Sequence, residues 1–419
     1  MGIRRTAALA LLTLAAAMAL AAASPAASGE TSAAATETWQ ASALDLPSAW
    51  QVTSGNAAGN AAPVVAVVDS GVQPDDPALQ DHLLPGYDVV GGDTNTGDDN
   101  GHGTAVADVV ASVCPDCRIL PVKVLDANAT GDWTTIAAGV DWAADHGAQV
   151  INLSVGAPRA MDVLGAAVAQ AIAKGVIVVA AAGNDGENES FYPAMYPNVI
   201  SVAGVDQGGA RSTWSNFGSW VTVAAPGCSM TPWLHDGSPA SFCGTSAAAP
   251  FVAGLAGLAL AFDPKLDATT FAAALATSTT PLPDPATAAS GIPDANRLLE
   301  TLGAPTAPPV ESAPPTVSPA PAVGRRCTAS AGEWQGTSSR QITWQRFTPG
   351  AGWAGIASGA TYTPGARDAG RRLRVLVTAT NVRGTVTAVS PASPPVRVTR
   401  VESRKRGTRS SGTPQKVST

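Results

Sequence analysis

Charge is what this 419-residue sequence has least of: Asp, Glu, Lys and Arg make up 14% of it, against 45% hydrophobic residues. That ratio excludes disorder over most of the chain. The little charge present is unevenly placed. Residues 1–322 hold 9 Lys and Arg against 29 Asp and Glu, a balance of −20. Residues 323–419 hold 16 against three (Glu333, Asp368 and Glu402), a balance of +13. Two parts of opposite sign read as two units with different partners. Cysteine is also scarce and odd in number: Cys114, Cys117, Cys228, Cys243 and Cys327. At least one has no partner within the chain. Cys114-Pro115-Asp116-Cys117 has the C-x-x-C form, but no second pair stands at ligand spacing, which argues against zinc. A local disulfide is favoured there over a redox motif. Cys228 and Cys243 are 15 apart, and a bond between them would close a loop worth about 3 kcal/mol.

Long apolar runs are few. Met1–Ala23 has the form of a secretory signal: Arg4 and Arg5, then an uncharged Ala-rich run, then Ala21-Ala22-Ala23 as a small-residue cleavage site. Ala247–Phe262 is interrupted by Pro250 and reads as a buried helix rather than a membrane span. No stop-transfer run follows, so a secreted chain with no transmembrane anchor after signal removal is expected, either released or held at the cell wall. Export favours disulfides.

Between Trp39 and Gly303, continuous apolar runs alternate with Ala-rich helical patterns. Strands are expected at Val64–Val68, Ile119–Val124, Val150–Leu153, Val176–Ala182 and Val199–Val202. Helices are expected at Thr104–Ser112, Thr134–Asp145 and Met161–Lys174. This is the pattern of an α/β fold, a parallel sheet flanked by helices on both faces, with functional residues at the C-terminal ends of strands. Seven prolines mark residues 304–322 as a semi-rigid spacer. Beyond it, Gln341–Phe347, Thr361–Thr363, Leu373–Thr380 and Val386–Val389 read as strands. In Leu373–Ala379 the alternation sets Leu373, Val375, Val377 and Ala379 on one face, as in a small C-terminal β-sandwich. The expected order is a signal at 1–23, a short segment at 24–38, an α/β domain at 39–303, the spacer, a β-sandwich at 323–398, and a basic disordered tail at 399–419.

Four short motifs carry chemistry. Val67-Val68-Asp69-Ser70-Gly71 ends the first strand. Asn100-Gly101-His102-Gly103-Thr104 opens a helix. Ala181-Ala182-Gly183-Asn184 ends a strand, and Gly244-Thr245-Ser246-Ala247-Ala248-Ala249-Pro250 opens another helix. A serine hydroxyl is a poor nucleophile until a base takes its proton. His102 has the pKa range for that base, and Asp69 would fix its tautomer and stabilise the imidazolium. Ser246 at a helix start places its own N–H where negative charge would develop. In this order the motifs resemble the subtilisin-like serine proteases, the subtilase family, over roughly residues 39–303.

The resemblance implies a secreted serine endopeptidase working through an acyl-enzyme, with Asp69, His102 and Ser246 as catalytic triad and Asn184 as oxyanion donor. It further implies that Ser154, Val155 and Gly156 pair with an extended substrate and that Ala182 and Gly183 wall a specificity pocket. Main-chain pairing tolerates many side chains, so protein or peptide substrates and broad specificity are expected. Phe191 falls near the pocket floor and would favour small side chains; Glu187 and Glu189 would instead attract basic ones.

The sequence departs from the family in three places. Only residues 24–44 stand where many relatives carry a folding prodomain. The calcium loop after the histidine helix is replaced by the C-x-x-C, so a disulfide is inferred as the local staple. The run Asp93–Asp99 offers oxygens for a structural calcium or is a solvated loop; the chemistry itself requires no cofactor. Ala105 and Asp108 replace the family's His and Gly, and the sequence supplies no account of Asp108.

Gly332-Glu333-Trp334, Trp344-Gln345-Arg346, Ala360–Thr363 and Leu373–Val375 with Thr378–Asn381 resemble bacterial immunoglobulin-like repeats of cell-surface proteins. The basic C-terminal region suits an anionic cell-wall polymer rather than a specific nucleic acid. Against the endopeptidase stands one alternative, a catalytically silent peptide-binding or surface-adhesion protein.

Overall fold

The computed structural model describes residues 38–56, 61–231, 240–337 and 339–398. The signal at 1–23, nearly all of the segment at 24–38, and the tail at 399–419 lie outside the described residues.

Seven strands form one sheet: β1 (Val64–Asp69), β2 (Tyr87–Asp88), β3 (Arg118–Lys123), β4 (Val150–Leu153), β5 (Ile177–Ala181), β6 (Ile200–Val205) and β7 (Val223–Pro226). Their order is β2-β3-β1-β4-β5-β6-β7, and every pairing is parallel. The helices are α1 (Trp39–Ala43), α2 (Leu46–Trp50), α3 (His102–Val113), α4 (Trp133–Asp145), α5 (Asp162–Ala173), α6 (Thr245–Phe262), α7 (Ala268–Thr277) and α8 (Ala295–Thr301). Strand residues alternate between two cores. Val65 and Val67 of β1 join α3 and α6 on one face; Ala66 and Val68 join α4 and α5 on the other. A sheet covered on both faces needs apolar residues at successive positions, which is why β4, β5 and β6 are buried throughout. α6 is the central helix, buried along nearly its whole length among protein rather than lipid.

A hairpin of β8 (Cys228–Thr231) and β9 (Ala240–Cys243) leads into α6. A short ladder of β10 (Thr279–Thr280) and β11 (Ile292–Pro293) precedes α8. Cys114–Cys117 and Cys228–Cys243 are both disulfides. The first is buried, and a side chain on Gly257 of α6 would run into its sulfurs; it ties the end of α3 to the start of β3 and packs against the central helix.

The rest of the described chain is antiparallel: β12 (Val310–Ala313), β13 (Thr316–Ser318), β14 (Cys327–Ser330), β15 (Glu333–Gln335), β16 (Ser339–Thr348), β17 (Gly352–Ser358), β18 (Thr361–Tyr362), β19 (Leu373–Asn381) and β20 (Gly384–Val389). The sheet β17-β16-β19-β20 faces the sheet β13-β14-β18 across Cys327, Ala329, Trp344 and Val375. β19 alternates as expected, with Leu373, Val375, Val377 and Ala379 buried. Cys327 is the one free cysteine among the described residues and sits fully buried in that core.

The spacer expected at 304–322 is corrected. Residues 310–313 pair with β15, and residues 316–318 pair with β14. Proline cannot donate to a ladder and is confined to edges and strand ends. Here Pro309 and Pro314 bracket β12, and Pro315 and Pro319 bracket β13. The prolines delimit strands that belong to the C-terminal sheets.

Candidate active site

Asp69 is the last residue of β1, the strand on which the order of the sheet reverses. Such a switch point opens a crevice beyond the strand ends. His102 begins α3, two residues earlier than periodicity indicates, because Asp98 caps the helix from outside. The Asp98 carboxylate accepts the N–H groups of Asn100, Gly101 and Thr104 and the hydroxyls of Ser70 and Thr104, at 2.6–3.0 Å. Burial alone would raise its pKa, but these bonds hold it below the usual carboxylate value. Gly103 lets the helix start touch the end of β1, since a Cβ there would collide with the Gly71 carbonyl.

His102 Nδ1 lies 2.7 Å from Asp69 Oδ1. Because a carboxylate accepts, Nδ1 carries the hydrogen and Nε2 presents a lone pair. Asp69 is fully buried, and the His102 side chain is 24% exposed. Burial pushes the imidazole pKa down; the charge and hydrogen bond of Asp69, with the charge of Asp98, outweigh it and raise the value above 6.5.

Ser246 is the second residue of α6. Its Oγ donates to the Ser154 carbonyl at 3.2 Å, and its own carbonyl accepts from Ser154 Oγ at 2.9 Å. The second bond has a cause in the sequence. Pro250, four residues on, has no N–H to give the Ser246 carbonyl, so Ser154 takes that acceptor. Asn152 Nδ2 in turn donates to Ser154 Oγ at 2.9 Å. Ser246 N–H belongs to the first turn and has no acceptor within the helix. Asn184 Oδ1 accepts from the N–H and hydroxyl of Thr245 at 2.8 and 3.0 Å. Its carbonyl end is thereby fixed and its amide end left to donate. Gly244, at φ 140°, supplies the left-handed turn between β9 and α6.

A cleft of about 430 Å³ runs past His102, Ser246 and Asn184, with Ser154–Gly156 on one wall and Thr130–Gly131 on the other. The second wall was not identified from sequence. Gly183 lines the cleft; Ala182 is buried behind it. Phe191 sits between the two pocket strands: a Cβ on Gly156 would collide with its ring, and one on Gly183 would lie 2.8 Å from it. The ring separates the cleft from a second depression of about 290 Å³ that holds Asp185, Glu187 and Glu189. Those acids therefore stand behind Phe191 rather than beside Ser246.

Besides the Thr130–Gly131 wall, Asp98 and Asn216 are site residues that the sequence did not single out. Asn216 Oδ1 accepts from Asp185 and Glu187 N–H at 3.0 and 3.1 Å, and its Nδ2 donates to Ala182 O at 3.0 Å. It shapes the loop after Asn184. Asp98 is filled by five donors, and Asp99 pairs with Lys123 at 2.6 Å. Among the described residues no group of three His, Cys, Asp or Glu is placed to hold a metal.

The sequence profile of the subtilase family matches residues 60–297. Thermitase of Thermoactinomyces vulgaris is 42% identical over 229 residues, which cover 51% of this chain and 79% of thermitase. The thermophilic serine proteinase of Bacillus sp. (strain AK1) is 42% identical over 220 residues, 50% of this chain and 54% of that protein. A cold-adapted subtilisin-like serine proteinase of known structure superposes with a TM-score of 0.53 at 30% identity, covering 55% of this chain and 88% of its own. A protease of Pseudoalteromonas arctica gives 0.55 at 29%, over 61% and 93%. The matched segment carries Asp69, His102, Asn184 and Ser246 and excludes the C-terminal sheets. The chain belongs to the subtilase family and is a subtilisin-like serine peptidase.

Proposed function

We propose that the chain is a secreted endopeptidase in which Ser246 attacks the peptide carbonyl, His102 moves the proton and Asp69 orients His102. The observation that carries this is the 2.7 Å bond from His102 Nδ1 to a fully buried Asp69, which leaves Nε2 as the free base. Rotation about the Ser246 Cα–Cβ bond turns Oγ from the Ser154 carbonyl to Nε2. Attack forms the C–O bond, and the proton passes to Nε2. Asn184 Nδ2 and Ser246 N–H then take the oxyanion. Collapse expels the amine with that proton, and water repeats the cycle on the acyl-enzyme.

The main-chain edges of Ser154–Gly156 and Thr130–Gly131 hold an extended substrate between them, so sequence preference rests on the pocket that Phe191 fills. A filled pocket favours small residues before the cut bond. The test compares p-nitroanilide peptides ending in Ala, Phe and Lys, with Ser246→Ala as the blank. The Ala peptide should be cut best. A strong Phe preference would remove the narrowed pocket, and a Lys preference would return the role to Glu187 and Glu189.

For the C-terminal sheets, taken as an immunoglobulin-like domain, one surface favours an anionic wall polymer. The strands β16, β17, β19 and β20 contain no Asp or Glu; Arg374 stands on their outer face, whereas Arg340 and Arg346 pair opposite Ala379 and Leu373 on the core side and Arg346 binds Asp368. Phe347 and Trp353 pair across strands on the outer face, and the Arg374 guanidinium lies 4.3 Å over Trp353. Binding to purified cell walls should fall as salt rises and weaken in Trp353→Ala and Arg374→Gln, with peptidase activity kept. Salt-independent binding would contradict an electrostatic attachment.

A further inference from the structure

The hairpin β8–β9 touches the site from a side the triad does not explain. Ser229 lies opposite Phe242, and Cys228 lies opposite Cys243, to which it is bonded. Cys243 stands three residues before Ser246, and Gly244 N–H continues the tie by donating to Gly227 O at 2.9 Å. On the other side, Gln40 Nε2 donates to the Cys228 carbonyl at 2.9 Å. The Phe242 ring meets the His102 ring at a centroid distance of 5.4 Å with the planes at 83°, the edge-to-face contact aromatic rings prefer.

The bond from Nδ1 to Asp69 fixes one corner of the imidazole. It leaves the ring free to swing about that bond, and a swing moves Nε2 relative to Ser246. Phe242 closes off that movement. We propose that Phe242 is a positioning residue for His102 and that the Cys228–Cys243 disulfide holds it in place. This rests on the reading of His102 as the base. It gives the second disulfide a task different from that of Cys114–Cys117, which is buried behind α3 and touches no site residue of the cleft. Cys228 is half-buried and Cys243 exposed, so a small dithiol reaches the bond through Cys243. One dithiothreitol then delivers two electrons and two protons, leaving two cysteine thiols and one cyclic disulfide of the reagent.

The experiment uses the full-length protein and a p-nitroanilide tetrapeptide ending in Ala. Phe242→Ala should lower kcat about tenfold while KM stays within about twofold, and Phe242→Tyr should restore kcat. Cys228→Ser with Cys243→Ser should reproduce the fall in kcat. Mild dithiothreitol on the wild type, with the reduced cysteines identified by alkylation and mass spectrometry, reads the same effect if that double variant does not fold, and reoxidation should reverse it. A raised KM at unchanged kcat in Phe242→Ala would make Phe242 a substrate contact and overturn the proposal. Unchanged kinetics after reduction of Cys228–Cys243 would remove the disulfide from it. An inactive wild type would instead sink the underlying assignment of His102.

Discussion

At the scale of the residue, the site is held by polar groups that face inward. Asn184 is the clearest case. Thr245 occupies both acceptor positions of its Oδ1, so the amide cannot flip and Nδ2 is committed to donation. Asn184→Ala should therefore lower kcat by about 10²–10³ with little change in KM, a magnitude that comes from subtilisin itself. A KM effect alone, measured with the same peptide, would mean that Asn184 binds the ground state. The residues that the structure gathers at the cleft, His102, Ser246 and Asn184 with Asp69 behind His102, were legible in the sequence because each sits in a short motif beside an element boundary. The roles of Asp98 and Asn216 were not. Their partners are fixed by folding, as when Asp98 reaches Ser70 across 28 positions, and no local spacing announces them.

At the scale of the element, α3 carries a conflict within itself. Its first turn is charge-stabilised by Asp98. Two turns on, Asp108 is buried with both carboxyl oxygens unpartnered, as is Asp76 Oδ2 in the loop after β1. Burial, then the charge of Asp76, push Asp108 up to about 8. Burial likewise raises Asp76 against the Ala78 N–H bond that lowers it. The sign follows from linkage. The folded state holds the Asp108 proton more tightly than the unfolded chain does, so this group favours folding most at low pH. That advantage is lost progressively as pH rises from about 4 to about 8, by on the order of 6 kcal/mol in total. Asp108→Asn removes the titration and gives Asp76 a donor. Its melting temperature should exceed the wild type's by an amount that grows from pH 5 to pH 8.5, and a constant difference would contradict the buried acid. The helix itself was legible from its apolar period; the residue that strains it was noticed only as a departure from the family.

At the scale of the molecule, the two oppositely charged parts meet. Arg383, in the turn between β19 and β20, reaches α8. Its guanidinium donates to Glu300 Oε1 at 2.8 Å, to Asn296 Oδ1 at 2.5 Å and to the Pro305 carbonyl at 2.9 Å. Asn381 Nδ2 adds a bond to the Ala307 carbonyl at 2.8 Å. The Arg383 side chain is 15% exposed, so this contact is largely withdrawn from water, unlike a surface ion pair. Arg383→Ala should cost roughly 2 kcal/mol at the junction. In calorimetry it should separate the C-terminal sheets into an earlier transition, with peptidase activity unchanged. An unaltered single transition would mean that the junction adds nothing. The charge boundary near residue 322 was visible in composition, but the structural join lies earlier. A proline-rich stretch reads as a spacer until pairing shows its short strands, and pairing depends on residues up to 25 positions away.

The central claim, that Ser246 is a nucleophile made reactive by His102 and Asp69, is tested most directly by a peptidyl phosphonate that phosphonylates only an activated serine. Mass spectrometry of the labelled wild type should place one adduct on Ser246. His102→Ala, folded by circular dichroism, should leave Ser246 unlabelled on the same timescale. Equal labelling of both proteins, or no labelling of the folded wild type, would contradict the account.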